Sequence, residues 1–422
     1  MESRFLSGAT YSCSSGSLLM TRLLVAVLSA PRFLASLVAF AAFAPLSIFA
    51  AAPETEWSVD DSSDTLLITE QPASGTAWVF SLTSSGVFGK TTKGSSTALN
   101  FRTIPLPEGY GIETIGASFM SGDTSIKSVY FPSTVTNISN SAFNGCTSLV
   151  TCDFPEGTPI ERVGNQAFMN DAALVAQIGR LCPPTVTWLG GWAFYKCGNV
   201  TGKVFLPALA GFSTSQGNTG QQFYKCGLRD AEITSPFLTA VGGFFPNCTS
   251  ITNITISCEN LTSISKDFAI NDSALKNVSI DCPKLTTIGQ DAFKSTGVKT
   301  LTLSAPLLNG NVNSTAFSST SLKEVTIFHG PFVQNETDNT ATVMDRILTG
   351  VTAVDSATDA AKNCVVYVPV ANKRAWECYA DALAGYESAH APKYAFGVYS
   401  ASSRKAYMAA LGGSPGFAII VR

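Results

Sequence analysis

A motif of the form Ile-Gly-x-x-Ala-Phe-x-x-Cys-x-x-Leu-x-x-Val-x-Ile-Pro returns about nine times between residues 112 and 328. Its Phe recurs as Phe119, Phe143, Phe168, Phe194, Phe223, Phe245, Phe268, Phe293 and Phe317, at spacings of 24, 25, 26, 29, 22, 23, 25 and 24. A fixed period of this length dictates a stack of similar units, because no unit of such size can bury its apolar side alone.

The contents of one unit follow from its marks. An apolar residue precedes each Phe by four or five positions, as in Ile115, Ile138, Val163, Leu189, Val241, Ile264, Ile288 and Val312. Gly116, Gly164, Gly190, Gly242 and Gly289 come next, which suits a tight bend or a positive φ. Beyond the Phe lie runs such as Leu275-Val278-Ile280, Val298-Leu301-Leu303 and Leu322-Val325-Ile327, whose last apolar positions alternate like a half-buried strand. Pro132, Pro155 and Pro207 end three of these runs, where a hydrogen-bonded ladder must stop. Each unit is thus a short strand, a turn and a loop with an inward Phe. Nine such strands stacked in parallel, at about 4.8 Å each, make a ladder roughly 40 Å long. Residues 210–221, rich in Gly, Ser and Asn, lengthen the fifth unit and read as a loop bulging from the stack.

The segments Ile138-Ser139-x-x-Ala142-Phe143-x-x-Cys146, Leu189-Gly190-x-x-Ala193-Phe194-x-x-Cys197 and Ile288-Gly289-x-x-Ala292-Phe293 resemble the BspA-like leucine-rich repeat family of bacterial and protozoan surface proteins. The resemblance covers about half of the chain, with a tail towards Val370. Val365-Val366-Tyr367-Val368-Pro369, followed by Ala375, Trp376 and Tyr379, looks like the family's terminal strand and closing helix. The third unit lacks the Cys and a clean strand, and the fifth lacks the leading Ile-Gly. The resemblance implies a leucine-rich repeat solenoid, β-rich, with a parallel strand ladder and loop or short-helix returns. It also implies an extracellular recognition scaffold of the adhesin kind, without a shared catalytic residue set.

Outside the repeats the chain divides further. Residues 1–52 read as an export segment: Arg22 and Arg32 precede an apolar stretch ending in Ala50-Ala51-Ala52. A cleaved signal peptide and an uncleaved signal anchor both fit, since residues 33–52 are just long enough to span a bilayer. Residues 53–111 read as an N-terminal β cap over the open end of the solenoid, with strands around Trp57, Leu66 and Val79. Residues 329–386 form an irregular last repeat, with a helix near residues 342–348 and a closing helix at 371–386. Residues 387–422 read as a β tail, with strand-like runs at 396–399 and 417–421; a surface-attachment segment is the alternative.

Of eleven cysteines, Cys146, Cys197, Cys226 and Cys248 sit three residues past the repeat Phe, which predicts buried, unpaired thiols. Cys258 with Cys282, and Cys364 with Cys378, are the pairs placed for a bridge.

The chain offers little chemistry. It has no Gly-rich phosphate loop, no His-Glu-x-x-His and no Gly-x-Ser-x-Gly elbow. His329 and His390 have no metal-ligand partner at useful spacing, and Asp60, Asp61 and Asp64 lack the rest of a calcium loop. No enzyme, cofactor or metal is therefore expected, and a net charge of −3 argues against nucleic acid. The ordered surface feature is basic: Lys127, Arg229, Lys276, Lys299 and Lys323 each follow the strand's leading apolar residue. Such a column suits an anionic partner, and equally serves as a solubilising face that guards an edge. Thr255, Ser279, Thr302 and Thr326 predict a hydroxyl ladder on the outward strand face. Asn137, Asn199, Asn247, Asn253, Asn260, Asn271, Asn277, Asn313 and Asn335 open Asn-x-Ser/Thr triplets, which repeat composition also produces. The resulting expectation is a secreted or cell-surface binding module for a protein or an anionic glycan of a cell surface or matrix. It would touch a membrane only through an uncleaved anchor or another surface attachment. A structural surface component is the alternative, and a hydrolase with an unrecognised site a remote one.

Overall fold

Two parallel ladders, not one, hold the stack together in the computed structural model. The Leu-x-x-Val-x-Ile runs form the longer strands, among them Asn253–Ser257, Asn277–Asp281, Thr300–Ser304 and Glu324–Ile327. The apolar residue ahead of each Phe forms a second strand only two residues long, as in Asn137–Ile138, Arg162–Val163, Trp188–Leu189 and Thr287–Ile288. Both kinds pair in parallel from one coil to the next, with Val278 opposite Leu301 and Ile264 opposite Ile288. The result is a solenoid of parallel β coils with little helix. Two residues are too few to show a period, so the second ladder is invisible in the hydrophobic pattern.

The described residues are 53–213, 220–308, 311–332, 343–350, 364–369, 372 and 395–399. All lie in one unit spanning residues 52–422. The export segment, most of the predicted closing helix, Cys378, His390, Asn335 and the run 417–421 fall outside them.

The repeat Phe side chains make the core. All nine from Phe119 to Phe317 are buried. Their ring centroids succeed one another at 5.1–6.0 Å, without a break. Such spacing is within the favourable range for offset or edge-to-face aromatic pairs. At the N-terminal end the column continues into a separate aromatic cluster. Trp57–Asp60, Thr65–Glu70, Val79–Thr83 and Val87–Thr92 form an antiparallel meander whose last strand pairs in parallel with Thr114–Ile115. Phe80 and Phe88 from this meander lie 5.5 and 5.2 Å from Phe119. The longer ladder already begins at Ala98–Asn100, ahead of the first repeat Phe, and pairs with Ser128–Tyr130. At the other end, Val365–Pro369 pairs with Glu324–Ile327 and Ala395–Tyr399 pairs with Val365–Pro369, so the run at 396–399 extends the same sheet. The helix expected near residue 342 is present as Val343–Ile347.

Three local expectations change. The repeat glycines do not adopt a positive φ; that conformation falls on other residues, including Ser141, Gln166, Trp192 and Asp291. Gly164 and Gly190 are required by close approach instead. A Cβ on Gly164 would stand 2.5 Å from the Asn140 backbone nitrogen, and one on Gly190 would stand 2.2 Å from that of Asn165. The long insert is shorter than its composition suggests, because Gly211–Phe212 pairs with Trp188–Leu189 and Phe212 takes the missing leading position. In the third coil, Ala176–Gln177 gives way at once to the short helix Ile178–Leu181, which explains the absent strand pattern.

Cys146, Cys197, Cys226 and Cys248 are buried and unbridged. Each thiol donates to a backbone carbonyl of the preceding coil, those of Met120, Phe168, Phe194 and Phe223, at 2.8–3.0 Å. Cys258 and Cys282 are also unbridged, and burial pushes their thiols up to about 11 and about 12. These thiols are therefore expected to resist a charged alkylating reagent in the folded protein and to react rapidly once it is denatured. Mass counting of labels before and after denaturation checks this; rapid native labelling of Cys146 or Cys248 would contradict the packing.

Candidate ligand-binding surfaces

The longer ladder brings most of the basic residues together. Thr252 donates its N–H to the Arg229 carbonyl, Lys276 to Thr252, Lys299 to Lys276 and Lys323 to Lys299, at 2.7–2.9 Å. Arg229, Lys276, Lys299 and Lys323 thus belong to one run, broken only by Thr252, with a rise near 4.8 Å per coil. All four basic side chains are exposed, and none forms an ion pair among the described residues. Lys127 occupies the same register position but stands apart. Val150 donates to Lys127 and Val175 to Val150, so two exposed valines interrupt the charge.

The adjacent position sharpens the field. Asp230 follows Arg229 and Glu324 follows Lys323, whereas Lys276 and Lys299 are followed by Asn277 and Thr300. The Asn277 amide donates to Asn253 Oδ1 at 2.7 Å, and Asn253 donates to Asp230 Oδ1 at 2.6 Å. Two of the Asn-x-Ser/Thr asparagines are therefore tied into a side-chain ladder. Positive charge is least compensated at Lys276 and Lys299.

The hydroxyl ladder is a correction. Thr255, Ser279, Thr302 and Thr326 do lie opposite one another in register. They do not form an open outward face, however, since Thr255, Thr302 and Thr326 are buried and only Ser279 is partly exposed. Alternation along a strand sets which side a residue points to, but not whether that side meets solvent.

A second surface was missed. At the turn that follows the repeat Phe, Tyr195 and Tyr224 stack at 4.6 Å with an interplanar angle of 11°. Lys196 lies over the Tyr195 ring at 5.2 Å and Lys225 over Tyr224 at 5.5 Å. Trp192 stands 6.1 Å from Tyr195. The three rings are partly exposed and both lysines exposed. The sequence carries the signal as Phe-Tyr-Lys-Cys, repeated at residues 194–197 and 223–226.

Little else offers chemistry. His329 is partly buried, which lowers its pKa below the usual histidine value; Nδ1 lies 2.6 Å from the Gly330 carbonyl. Asp60, Asp61 and Asp64 are exposed, and Asp60 accepts the Ser62 N–H. Among the described residues no group of three His, Cys, Asp or Glu side chains is placed to hold a metal ion. No helix among them is long and apolar enough to cross a membrane.

No curated protein matches the chain. Among solved structures it is similar to a leucine-rich cell surface protein from Faecalibacterium prausnitzii A2-165, at 18% identity over 62% of this chain and 88% of that one, with a TM-score of 0.32. It is also similar to a leucine-rich repeat protein from Bacteroides ovatus ATCC 8483, at 15% identity over 75% and 71% of the two chains, TM-score 0.33. The pneumococcal vaccine antigen PcpA matches at 11% identity over 81% of this chain and 98% of that one, TM-score 0.29. The sequence pattern of the BspA-type leucine-rich repeat region, in six copies, matches residues 96–210 and 219–334. With more than half of its length matched and a parallel solenoid built on that repeat, the chain belongs to the BspA-type leucine-rich repeat family.

Proposed function

We propose that this protein is an exported recognition module, held at a cell surface or secreted, that binds a protein or an acidic glycan and performs no catalysis. The observation that carries this reading is the exposed basic run on a rigid ladder, least compensated at Lys276 and Lys299. Backbone hydrogen bonds fix Lys276, Lys299 and Lys323 one coil apart. Their mutual repulsion is screened by salt, so the fold tolerates them without a partner, but an anionic polymer laid along the coil would meet all three. A purely structural coat component needs only a uniform polar face. Here that register position is uneven: exposed Val150 and Val175 in the early coils, and exposed cations broken by Thr252 in the later ones. The apolar stretch and small residues before Pro53 favour export.

The test is capture of the full chain on an array of matrix proteins and acidic glycans at low and high salt. Replacing Lys276, Lys299 and Lys323 together by Gln is expected to weaken capture of an anionic partner several-fold at low salt and to leave thermal unfolding nearly unchanged. Equal capture by the triple variant at low salt would return these lysines to a solubilising role.

A further inference from the structure

We infer that the turn edge of the coils around Tyr195 and Tyr224 is a binding platform for an acidic polysaccharide, lying lengthwise along the solenoid. The inference rests on the reading of the chain as a recognition module and places a second site at another register position.

Backbone hydrogen bonds define two neighbouring rows. Gly145 donates to the Met169 carbonyl, Asn170 to Tyr195, Lys196 to Tyr224 and Lys225 to Pro246, at 2.7–3.1 Å. One row therefore reads Met169, Tyr195, Tyr224, Pro246. The row beside it reads Asn170, Lys196, Lys225, Asn247, an amide, two ammoniums and an amide on successive coils. The first row offers partly exposed Met169 and, with their phenol hydroxyls, Tyr195 and Tyr224, while Pro246 is buried; the second offers charge and amide hydrogen bonds. A sugar carrying a carboxylate or sulfate has these needs together: an apolar C–H side, hydroxyls, and one anionic edge. The stack rises by 4.6 Å between the two phenols, comparable to the length of one pyranose unit. A linear polymer can thus repeat its contacts from coil to coil.

Charge supports the sign of the partner. Across residues 164–173, 190–199, 220–228 and 242–251, which form this turn in four consecutive coils, Lys196 and Lys225 are the only exposed charged residues, the Asp171 carboxyl being buried. Neither forms an ion pair among the described residues. Each ammonium is instead held over a tyrosine ring. That contact leaves the lysine exposed and holds the cation in place before a ligand arrives. The aromatic residues are also local: the equivalent place in the last two coils is Lys294 and Ser318. Packing of the repeat core, which continues through Phe293 and Phe317, does not require them.

The experiment measures retention of the purified full chain on immobilised hyaluronate and polygalacturonate, with dextran and polyglutamate as controls. The variants are Tyr195→Ser with Tyr224→Ser, Lys196→Gln with Lys225→Gln, and a charge-matched control, Lys90→Gln with Lys284→Gln. Retention on at least one acidic polysaccharide and not on dextran is expected, weakened about tenfold or more by either edge variant and unchanged in the charge-matched one, with any polyglutamate retention unaffected by the edge variants. Melting curves of the lysine variant, which removes no buried ring, establish that the coil is intact. Retention on polyglutamate that falls in Lys196→Gln with Lys225→Gln as much as retention on the polysaccharide does would reduce the site to charge alone and overturn the inference, as would equal retention on dextran. Unchanged retention of both edge variants would also overturn it, while continued capture of the wild type elsewhere would leave the recognition role standing.

Discussion

Replacing Phe268 by Ala is expected to destabilise the coil by about 3–5 kcal/mol, the range for truncating a fully buried aromatic side chain. Phe268 has no exposed surface, and its ring meets Phe245 at 5.5 Å and Phe293 at 5.7 Å, edge-on to both. Each coil touches only its neighbours, so the lost ring weakens two interfaces in the middle of the stack, and no distant element compensates. Phe268→Leu keeps most of the volume and is expected to cost less, about 1–2 kcal/mol. Urea unfolding followed by circular dichroism measures both. A loss below about 1 kcal/mol for the Ala variant would mean that the ring is no member of a packed column.

The second large effect concerns acid and base. The third coil carries Asp171 where Cys146, Cys197, Cys226 and Cys248 stand in other coils. Its carboxyl is buried; Oδ1 accepts the Cys146 N–H at 2.8 Å and Oδ2 has no hydrogen-bond partner. Burial disfavours the charged form and pushes the pKa up to about 8, against the pull of the Cys146 and Gly145 backbone N–H groups. Asp272, buried beside Cys248, is raised for the same reason. A carboxyl whose folded pKa exceeds its unfolded value of 3.8 binds its proton more tightly in the native state. Its contribution is fully present below pH 3.8 and is lost as pH rises towards 8. Other groups oppose this trend: His329 is lowered by burial, and Asp123 is lowered because, against its burial, hydrogen bonds from Ser125, Lys93 and Ile126 together win, so the contributions of both are lost as pH falls. Asp171→Cys isolates the one group. It restores the residue of neighbouring coils, and Cys146 N–H keeps the Phe143 carbonyl at 3.0 Å. The substitution is expected to stabilise the protein by about 5 kcal/mol at pH 8 and to have little effect near pH 4, since each unit between the two pKa values is about 1.4 kcal/mol. Denaturation midpoints of both proteins across this pH range check the sign. An equal offset at both ends would show that the difference is packing, not a buried proton.

The sequence made the repeat legible because the constraint acts on every coil alike. Phe119 to Phe317 must all fill one interior, so each copy records the same requirement, and their register survives the 29-residue spacing of the fifth coil. The cysteines are legible for the same reason, as a packing position and not a pairing scheme. The strand-entry basic residues were legible because a residue's place in the repeat is also its place in the stack.

What a single coil does not record is its neighbour. Gly164 and Gly190 read as free choices of φ until the adjacent backbone is seen within the reach of a Cβ. Phe212 reads as part of a loop until its pairing with Leu189 returns it to the ladder. Tyr195 and Tyr224 are separate residues until stacking brings them within 4.6 Å. Thr326 carries the alternation of an outward position, yet the tertiary structure buries it. Period and side-chain type therefore determined the solenoid, its core and the register of its surface rows. Only the stacked structure decided which rows face solvent, which residues meet across coils and where a carboxyl is sealed from water, because each depends on residues a full turn away in sequence.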